Sequence, residues 1–453
     1  MQASATIAAC RGAPSKAPQT RTGEKLLSSR WRWREIRSGF APAFWVANGT
    51  EIFERIAYYA TSAVLAIFLN EELHFSSQVT GWLMGISGFV VFSLPILAGA
   101  LADRFGFRRS LLFAFVLLTV GYFLLGSVTA PWMEPLRKVL GDKWLLLTIL
   151  LIPALGPGMV KPCVAGTVAQ TSGEEIRSLG YSIYYMLVNV GGALGPLAAW
   201  LVRKRLGLGI ESVFRAAAAC VFLMFWATLL FYREPRRPEE RKVASVREAV
   251  ENIFVVLGNL RFVSFLLISS GFYVSFWQIW ISAPLFIRRY VEPGADTDRL
   301  LSIEGVTIIL FQVLVAYLTR RKAAIRVIAL GFLISALSFA ILAVHPRVWT
   351  FAVMMVVMAL GEITQASRYY EYCSLLAPPG REGVYMGYAF LPIAIGYLIA
   401  GLLGGYLLRE FGSVLHRPAA MWWVIVAVGI LTAALMWLYG QMARPAGSRA
   451  TTE

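Results

Sequence analysis

Histidine is nearly absent from this 453-residue chain, with three in the whole sequence, at positions 74, 345 and 416. Cysteine is scarce too. Cys10, Cys163, Cys220 and Cys373 are scattered, form no C-x-x-C pair and have no metal-ligand spacing. Three of them sit inside apolar runs, so they read as reduced packing residues and no metal site is expected. Charge is thin as well, at 15% of residues against 58% hydrophobic, where an ordinary soluble domain carries about a quarter charged residues. Such a chain is built for lipid. No nucleophile elbow or phosphate-binding loop with supporting context occurs, which argues against an enzyme and against a resident cofactor. The net charge of +16 does not indicate nucleic acid, because Lys and Arg fall in short clusters between apolar runs rather than on one basic face.

What is present is a series of apolar segments long enough to cross about 30 Å of hydrocarbon. They fall near 42–70, 78–102, 108–128, 144–170, 177–202 and 213–232, then 262–287, 302–319, 325–344, 348–376, 384–407 and 419–440. The polar, basic residues 1–41 precede the first span and read as a disordered cytoplasmic tail rather than a transit peptide. No acid precedes Glu24, and no signal peptide is expected, so the first span itself would direct insertion. Residues 42–232 form one six-helix half and 261–440 a second. The linker 233–260 contains Pro235, Pro238 and an amphipathic stretch over 246–257 expected to lie on the membrane surface. Residues 441–453 form a short tail. Lys and Arg are about twice as frequent on the side of the membrane shared by the termini as on the other. Both termini are therefore expected in the cytoplasm, with the chain in a bacterial inner membrane and working as a monomer.

Two six-span halves joined by a basic linker match the architecture of major facilitator carriers, so the expected fold is an all-α polytopic membrane protein of twelve helices. Gly191 to Gly195 and Gly401 to Gly405 each form a GxxxG spacing, which supports close helix packing and nothing more. The loop after the second span, Gly99-Ala-Leu-Ala-Asp-Arg-Phe-Gly-Phe-Arg-Arg109, resembles that superfamily's cytoplasmic signature. The resemblance implies a conformational gate at Asp103, Arg104, Gly106 and Arg108, with Asp103 pairing across the interface between halves in one state. Its counterpart after the eighth span, Thr319-Arg-Arg-Lys322, keeps only the charge.

Ionisable residues inside spans are costly and each is a functional hypothesis. In the first span Glu51, Glu54, Arg55, Tyr58, Tyr59 and Ser62 share one helical face, at about 100° per residue. The face carries one excess acid. Lys161, in a fourth span loosened by Pro153, Pro157, Gly158 and Pro162, is the expected outside cation.

Glu51-Ile-Phe-Glu-Arg-Ile-Ala-Tyr-Tyr59 resembles the E-x-x-E-R-F-x-Y-Y motif of the proton-dependent oligopeptide transporters. Gly158-Met-Val-Lys-Pro-Cys-Val164 is similar to that family's span-four signature, and the stretch from Tyr181 to Gly192 to its span-five pattern. Further likeness at Gly361-Glu362, Ala377-Pro378 and Met386 to Gly396 carries the resemblance over nearly the whole chain. It implies a secondary transporter that moves di- or tripeptides, or a similar amine-bearing solute, together with protons. Glu51, Glu54, Arg55 and Lys161 would then exchange ion pairs as protons enter and leave. Tyr58, Tyr59, Tyr184, Asn189, Trp277 and Glu362 would contact the substrate, with Glu362 receiving an amino terminus. The three histidines fall in outward loops, so buried carboxylates must carry the protons.

The departures are specific. Ser62 stands where peptide-preferring members usually carry arginine, Ile281 where they carry a glutamate, and Ala366-Ser367 where they have Ser-Pro. Glu304 either supplies the missing acid of the second half or is a membrane-edge glutamate. Arg368 and Glu371 are three residues apart and are expected to pair with each other. The alternatives are a carrier or exporter of the same fold for another solute, such as an amino-acid conjugate or drug-like cation, and a peptide sensor that moves nothing.

Overall fold

The computed structural model describes residues 39–172, 176–235, 255–378 and 382–442. Most of the two expected tails, and the surface helix expected over 246–257 apart from its last three residues, lie outside the described residues. Sixteen helices follow in order: α1 (Pro42–Ile67), α2 (Ser77–Ser93), α3 (Pro95–Phe105), α4 (Phe107–Leu125), α5 (Glu134–Leu140), α6 (Asp142–Thr171), α7 (Arg177–Trp200) and α8 (Glu211–Phe231). Then come α9 (Leu260–Phe276), α10 (Gln278–Phe286), α11 (Thr297–Thr319), α12 (Ala324–Val344), α13 (Val348–Leu376), α14 (Glu382–Tyr388), α15 (Leu391–Leu407) and α16 (Met421–Met442).

Among the described residues eleven helical stretches are long and apolar enough to cross a membrane. The twelfth crossing is α2 with α3, split at Leu94 because Pro95 cannot donate to the helix ladder. A break of the same kind separates α14 from α15, where Pro392 occupies the first turn of α15. By contrast, α6 runs unbroken for 30 residues through Pro153, Pro157 and Pro162. The expected span from 302 starts earlier, at Thr297. Its polar first turn is drawn into the helix because Asp298 pairs with Arg203 of a neighbouring helix.

Four spans end in a π-helical turn, at Phe68–Glu72, Leu201–Arg205, Ile287–Val291 and Leu408–Val414. These are the first and fifth crossings of the first six and the first and fifth of the last six. All four turns lie on the membrane side opposite the termini, called here the far side. The shared position reflects an internal repeat of the kind such carriers are built from.

The first six crossings meet the last six along α2 with α15, α7 with α11, and α1 with α10. Glycine makes the two longest of these crossings possible. A Cβ on Gly81 would meet the backbone of Gly401 and Gly405, and one on Gly305 the backbone of Gly192 and Ala193. Large apolar side chains such as Phe113, Leu230, Val313 and Leu431 stand exposed at spanning depth, as contact with lipid requires.

Candidate functional site

Two groups of carboxylates lie inside the helix bundle. The first is on α1, where helical spacing brings Glu51, Glu54 and Arg55 onto the inward face while Phe53 points out. Glu51 and Glu54 are fully buried and Arg55 nearly so. The guanidinium grips Glu54 with two bonds, Nε to Oε2 at 2.6 Å and Nη2 to Oε1 at 2.8 Å. The fork geometry of arginine favours this bidentate arrangement. Glu51 is left at 3.6 Å from the same Nε, and neither of its oxygens has a hydrogen-bond donor. Arg55 also stands over the ring of Tyr58, 4.9 Å from its centroid. Gly191 of α7 lies against the Arg55 Cβ, so the first GxxxG pair packs the buried cluster.

Lys161 is near this cluster but not joined to it. Its ammonium lies 5.5 Å from the Phe92 ring and 5.6 Å from the Phe390 ring. Among the described residues no carboxylate is within ion-pair distance, although Glu51 is within electrostatic reach. The lysine thus sits between an aromatic ring of the first six spans and one of the last six.

The second group is Glu304 of α11 and Glu362 of α13. Each lies within electrostatic reach of the other. Glu304 is only 6% exposed, so its side chain is packed against neighbouring helices. The buried Glu362 Oε2 has no donor.

The expected substrate contacts fall around these two groups. Tyr59 packs on Trp280 with ring centroids 5.6 Å apart, and Tyr58 packs edge-on against Tyr59. Trp277 is wedged between Phe92 and Tyr397, at 5.4 Å and 4.1 Å. Asn189 donates to Gln312 Oε1 at 3.2 Å, across the α7–α11 crossing. Tyr184 is buried, while its neighbour Tyr185 is half exposed. Trp280 and Gln312 were not singled out from the sequence. Trp280 had a usable signal, since it is one turn from Trp277 in a span already holding an expected contact. The indole N–H groups of Trp277 and Trp280 are buried without acceptors.

The loop after the second crossing is tied down in an unexpected way. Gly106 takes a φ of 93°, a conformation that favours glycine. The Glu234 carboxylate accepts from the backbone N–H groups of Phe107 at 2.8 Å and Arg108 at 2.7 Å, capping α4 in trans. The Arg108 side chain donates to Leu229 O, Arg104 is exposed, and the side chain of Asp103 lies outside the described residues. Arg368 pairs with Glu371 as expected and also donates to Thr319 O and Lys322 O, closing the end of α11.

Ion pairs between the first and last six spans lie on the far side. Arg288 grips Glu71 with two bonds of 2.7 Å. Arg203 binds Asp298 at 2.8 Å and 3.0 Å, and Lys204 approaches Asp296 at 3.4 Å. Among the described residues no such pair joins them on the side of the termini. A pocket of about 640 Å³ beyond this seal is lined by Glu71, His74, Arg288, Arg289 and Arg409. It touches neither carboxylate group.

Buried charges on a dozen membrane-crossing helices fit an integral membrane carrier. The sequence model of the Major Facilitator Superfamily matches residues 50–293 and 294–453, and the chain belongs to that family of transporters. Two curated relatives are both multidrug resistance proteins MdtH. The one from Photorhabdus laumondii is 22% identical over 380 residues, 83% of this chain and 89% of that relative. The one from Yersinia pestis is 23% identical over 390 residues, 85% and 92%. Among solved structures, a POT family transporter in complex with 5-aminolevulinic acid aligns with a TM-score of 0.72 at 16% identity, covering 88% of this chain and 96% of that one. A peptide transporter POT in complex with sulfate gives 0.71 at 18% identity, covering 90% and 98%. The fold is therefore that of the POT transporters, as the sequence motifs implied.

Proposed function

We propose that the chain is a proton-coupled symporter of a small amine-bearing solute, with di- and tripeptides the leading class. One observation carries the reading: Glu51 is buried within the first span without a donor, beside an Arg55 already committed to Glu54 and a Lys161 with no carboxylate at ion-pair distance among the described residues. A buried carboxylate left in this way is completed by a proton or by an approaching cation. Lys161 closing on Glu51 when the proton leaves would link protonation to the swing of the two halves, since its present neighbours Phe92 and Phe390 belong to different halves. The halves are 42–232 and 261–440. The basic excess on the termini side supports cytoplasmic termini in a bacterial inner membrane, so the far-side ion pairs describe a state closed to the outside.

A second reading is export of drug-like cations. The printed names of the curated relatives favour it, and Ser62 in place of a substrate-facing cation is compatible with it. Purified protein in liposomes with an imposed inward proton gradient separates the two. Accumulation of labelled dialanine, driven by the gradient and competed by mixed dipeptides, supports symport. Gradient-driven extrusion of ethidium with no dialanine uptake would replace it by the second reading.

A further inference from the structure

Three of the four π-helical turns converge on one cavity at the far side. Its volume is about 640 Å³, and it is lined by Asn70 and Glu71 of the turn Phe68–Glu72, Arg288 and Arg289 of Ile287–Val291, and Arg409 of Leu408–Val414. Single π-helical turns are rare and fall often at functional sites. The volume lies in the range of ligand pockets, about 300–1,000 Å³. The first turn of α2 opens into the same space at Ser77 and Gln78, whose backbone N–H groups have no partner within the helix. Both halves therefore build the cavity, with the cations on the second and the backbone donors on the first.

Charge is not balanced there. Among the described residues Glu71 is the one acid lining the cavity, and it is taken by Arg288 through Nε and Nη2, while Nη1 donates to Ala295 O at 2.9 Å. Arg289 and Arg409 have no carboxylate at ion-pair distance among the described residues. Glu72, Glu292 and Glu410 are their neighbours in sequence or across the seal, yet none of the three lines the cavity. Two guanidiniums thus share an open space with no acid of the chain to answer them. The planar donor fork of arginine matches the oxygens of an oxyanion, and two forks beside a helix N-terminus suit one with two negative charges.

We propose that this cavity is an oxyanion site for a phosphate group, supplied either as free phosphate or as the headgroup of an anionic lipid, and that its ligand bridges the two halves. Arg289 and Arg409 hold the phosphate oxygens from the second half, and the first turn of α2 receives them from the first. The cavity has this lining only while the halves meet on the far side. Occupancy therefore favours the state closed there, and by reciprocity that state binds phosphate more tightly. The site lies beyond the pair of Arg288 with Glu71 and touches neither group of buried carboxylates. It stands whatever solute the carrier moves and whether or not protons drive it.

The full chain tests this with two probes. In nanodiscs of phosphatidylcholine, labelled inorganic phosphate is titrated by equilibrium dialysis. After reconstitution with phosphatidylglycerol and return to detergent, the lipid retained per chain is counted by mass spectrometry. The unmodified protein should hold one of the two saturably, which names the source, and Arg289→Gln and Arg409→Gln should each weaken that binding by about tenfold. Both side chains are exposed and hold no ion pair among the described residues, so the variants should keep the thermal stability of the unmodified chain. If neither probe is held, or if the double variant binds as well as the unmodified chain, the site is overturned. Binding lost in Lys161→Gln but kept in the double variant overturns it too, because the ion would then sit at the central cluster. Spin labels at the exposed Glu72 and Glu292 test the bridge. The bound probe should raise the short-distance fraction, and an unchanged distribution overturns the bridging of the halves.

Discussion

The two halves of the molecule handle buried acid in opposite ways. In the first, Glu51, Glu54 and Arg55 stand within two turns of one helix, and the arginine neutralises one acid outright. In the second, Glu304 and Glu362 come from different helices and act on each other, with no cation acting on either among the described residues. Two ionised groups about 4 Å apart repel by about 4 kcal/mol at an effective dielectric near 20. The first cluster carries its own counter-charge, whereas two ionised acids in the second would have only each other to act on. The comparison sets a charge network held by its own cation against two acids that have none beside them among the described residues.

The largest break in this comparison comes from making the first half resemble the second. Arg55→Ala strands two buried acids, and removing one partner of a buried pair costs about 3–5 kcal/mol. The expected outcome is a large drop in the thermal stability of the purified protein, together with loss of uptake. Stability within about 1 kcal/mol of the unmodified chain would show that water or Lys161 already shields the acids.

Lys161→Ala comes next, with little effect on stability because the lysine holds no carboxylate in this state. Gradient-driven accumulation should disappear, while exchange of labelled for unlabelled substrate without a gradient persists. Full accumulation by the variant would remove Lys161 from the coupling scheme.

A smaller effect is expected at the far-side seal, which both halves share. A leucine side chain at Gly401 cannot fit against the backbone of Gly81 and Gly85, so Gly401→Leu should shift the population toward a state open on the far side. Each ~1.4 kcal/mol lost from the seal is about a tenfold change in that ratio. Spin labels at the exposed Glu72 and Arg289 would report it, and an unchanged distance distribution would mean the crossing does not separate during transport.

Much of this was legible in the sequence, and the exceptions have physical causes. Hydropathy located the twelve crossings, and the helical period of α1 put its charges on one face, because both depend on local spacing. That Glu304 and Glu362 act on each other was not legible, since it depends on how α11 and α13 pack, and no periodicity within one helix reveals a partner on another. The same holds for Arg203 with Asp298 and for Gly81 against Gly401. The trans cap by Glu234 was missed for a further reason: the loop motif draws attention to its own acid, Asp103, and the capping carboxylate sits 127 residues beyond Phe107.

The smallest expected effect concerns specificity, and it tests whether the charge economy of the two halves extends to the substrate. Ser62 lies on the face of α1 shared by Glu51 and Tyr58 and has no charge to offer a substrate carboxylate. A charge-assisted contact is typically worth about 1.5–3 kcal/mol, or roughly one to two decades in affinity. Arg368 does not make good the loss, because it is occupied by Glu371 and by the carbonyls of Thr319 and Lys322. Lys161 is unpaired here, but the acids of α1 require it once they ionise, so it compensates only in part. Under the proposed function, C-terminally amidated dipeptides should compete for uptake within about tenfold of the free acids. N-acetylated ones, which cannot present an ammonium to Glu362, should compete far less well. Ser62→Arg should then widen the preference for the free acid. Strong discrimination against the amides by the unmodified protein would mean that Lys161 already serves the carboxylate, and the pair Lys161→Gln with Ser62→Arg would show whether the site can be moved from one helix to the other.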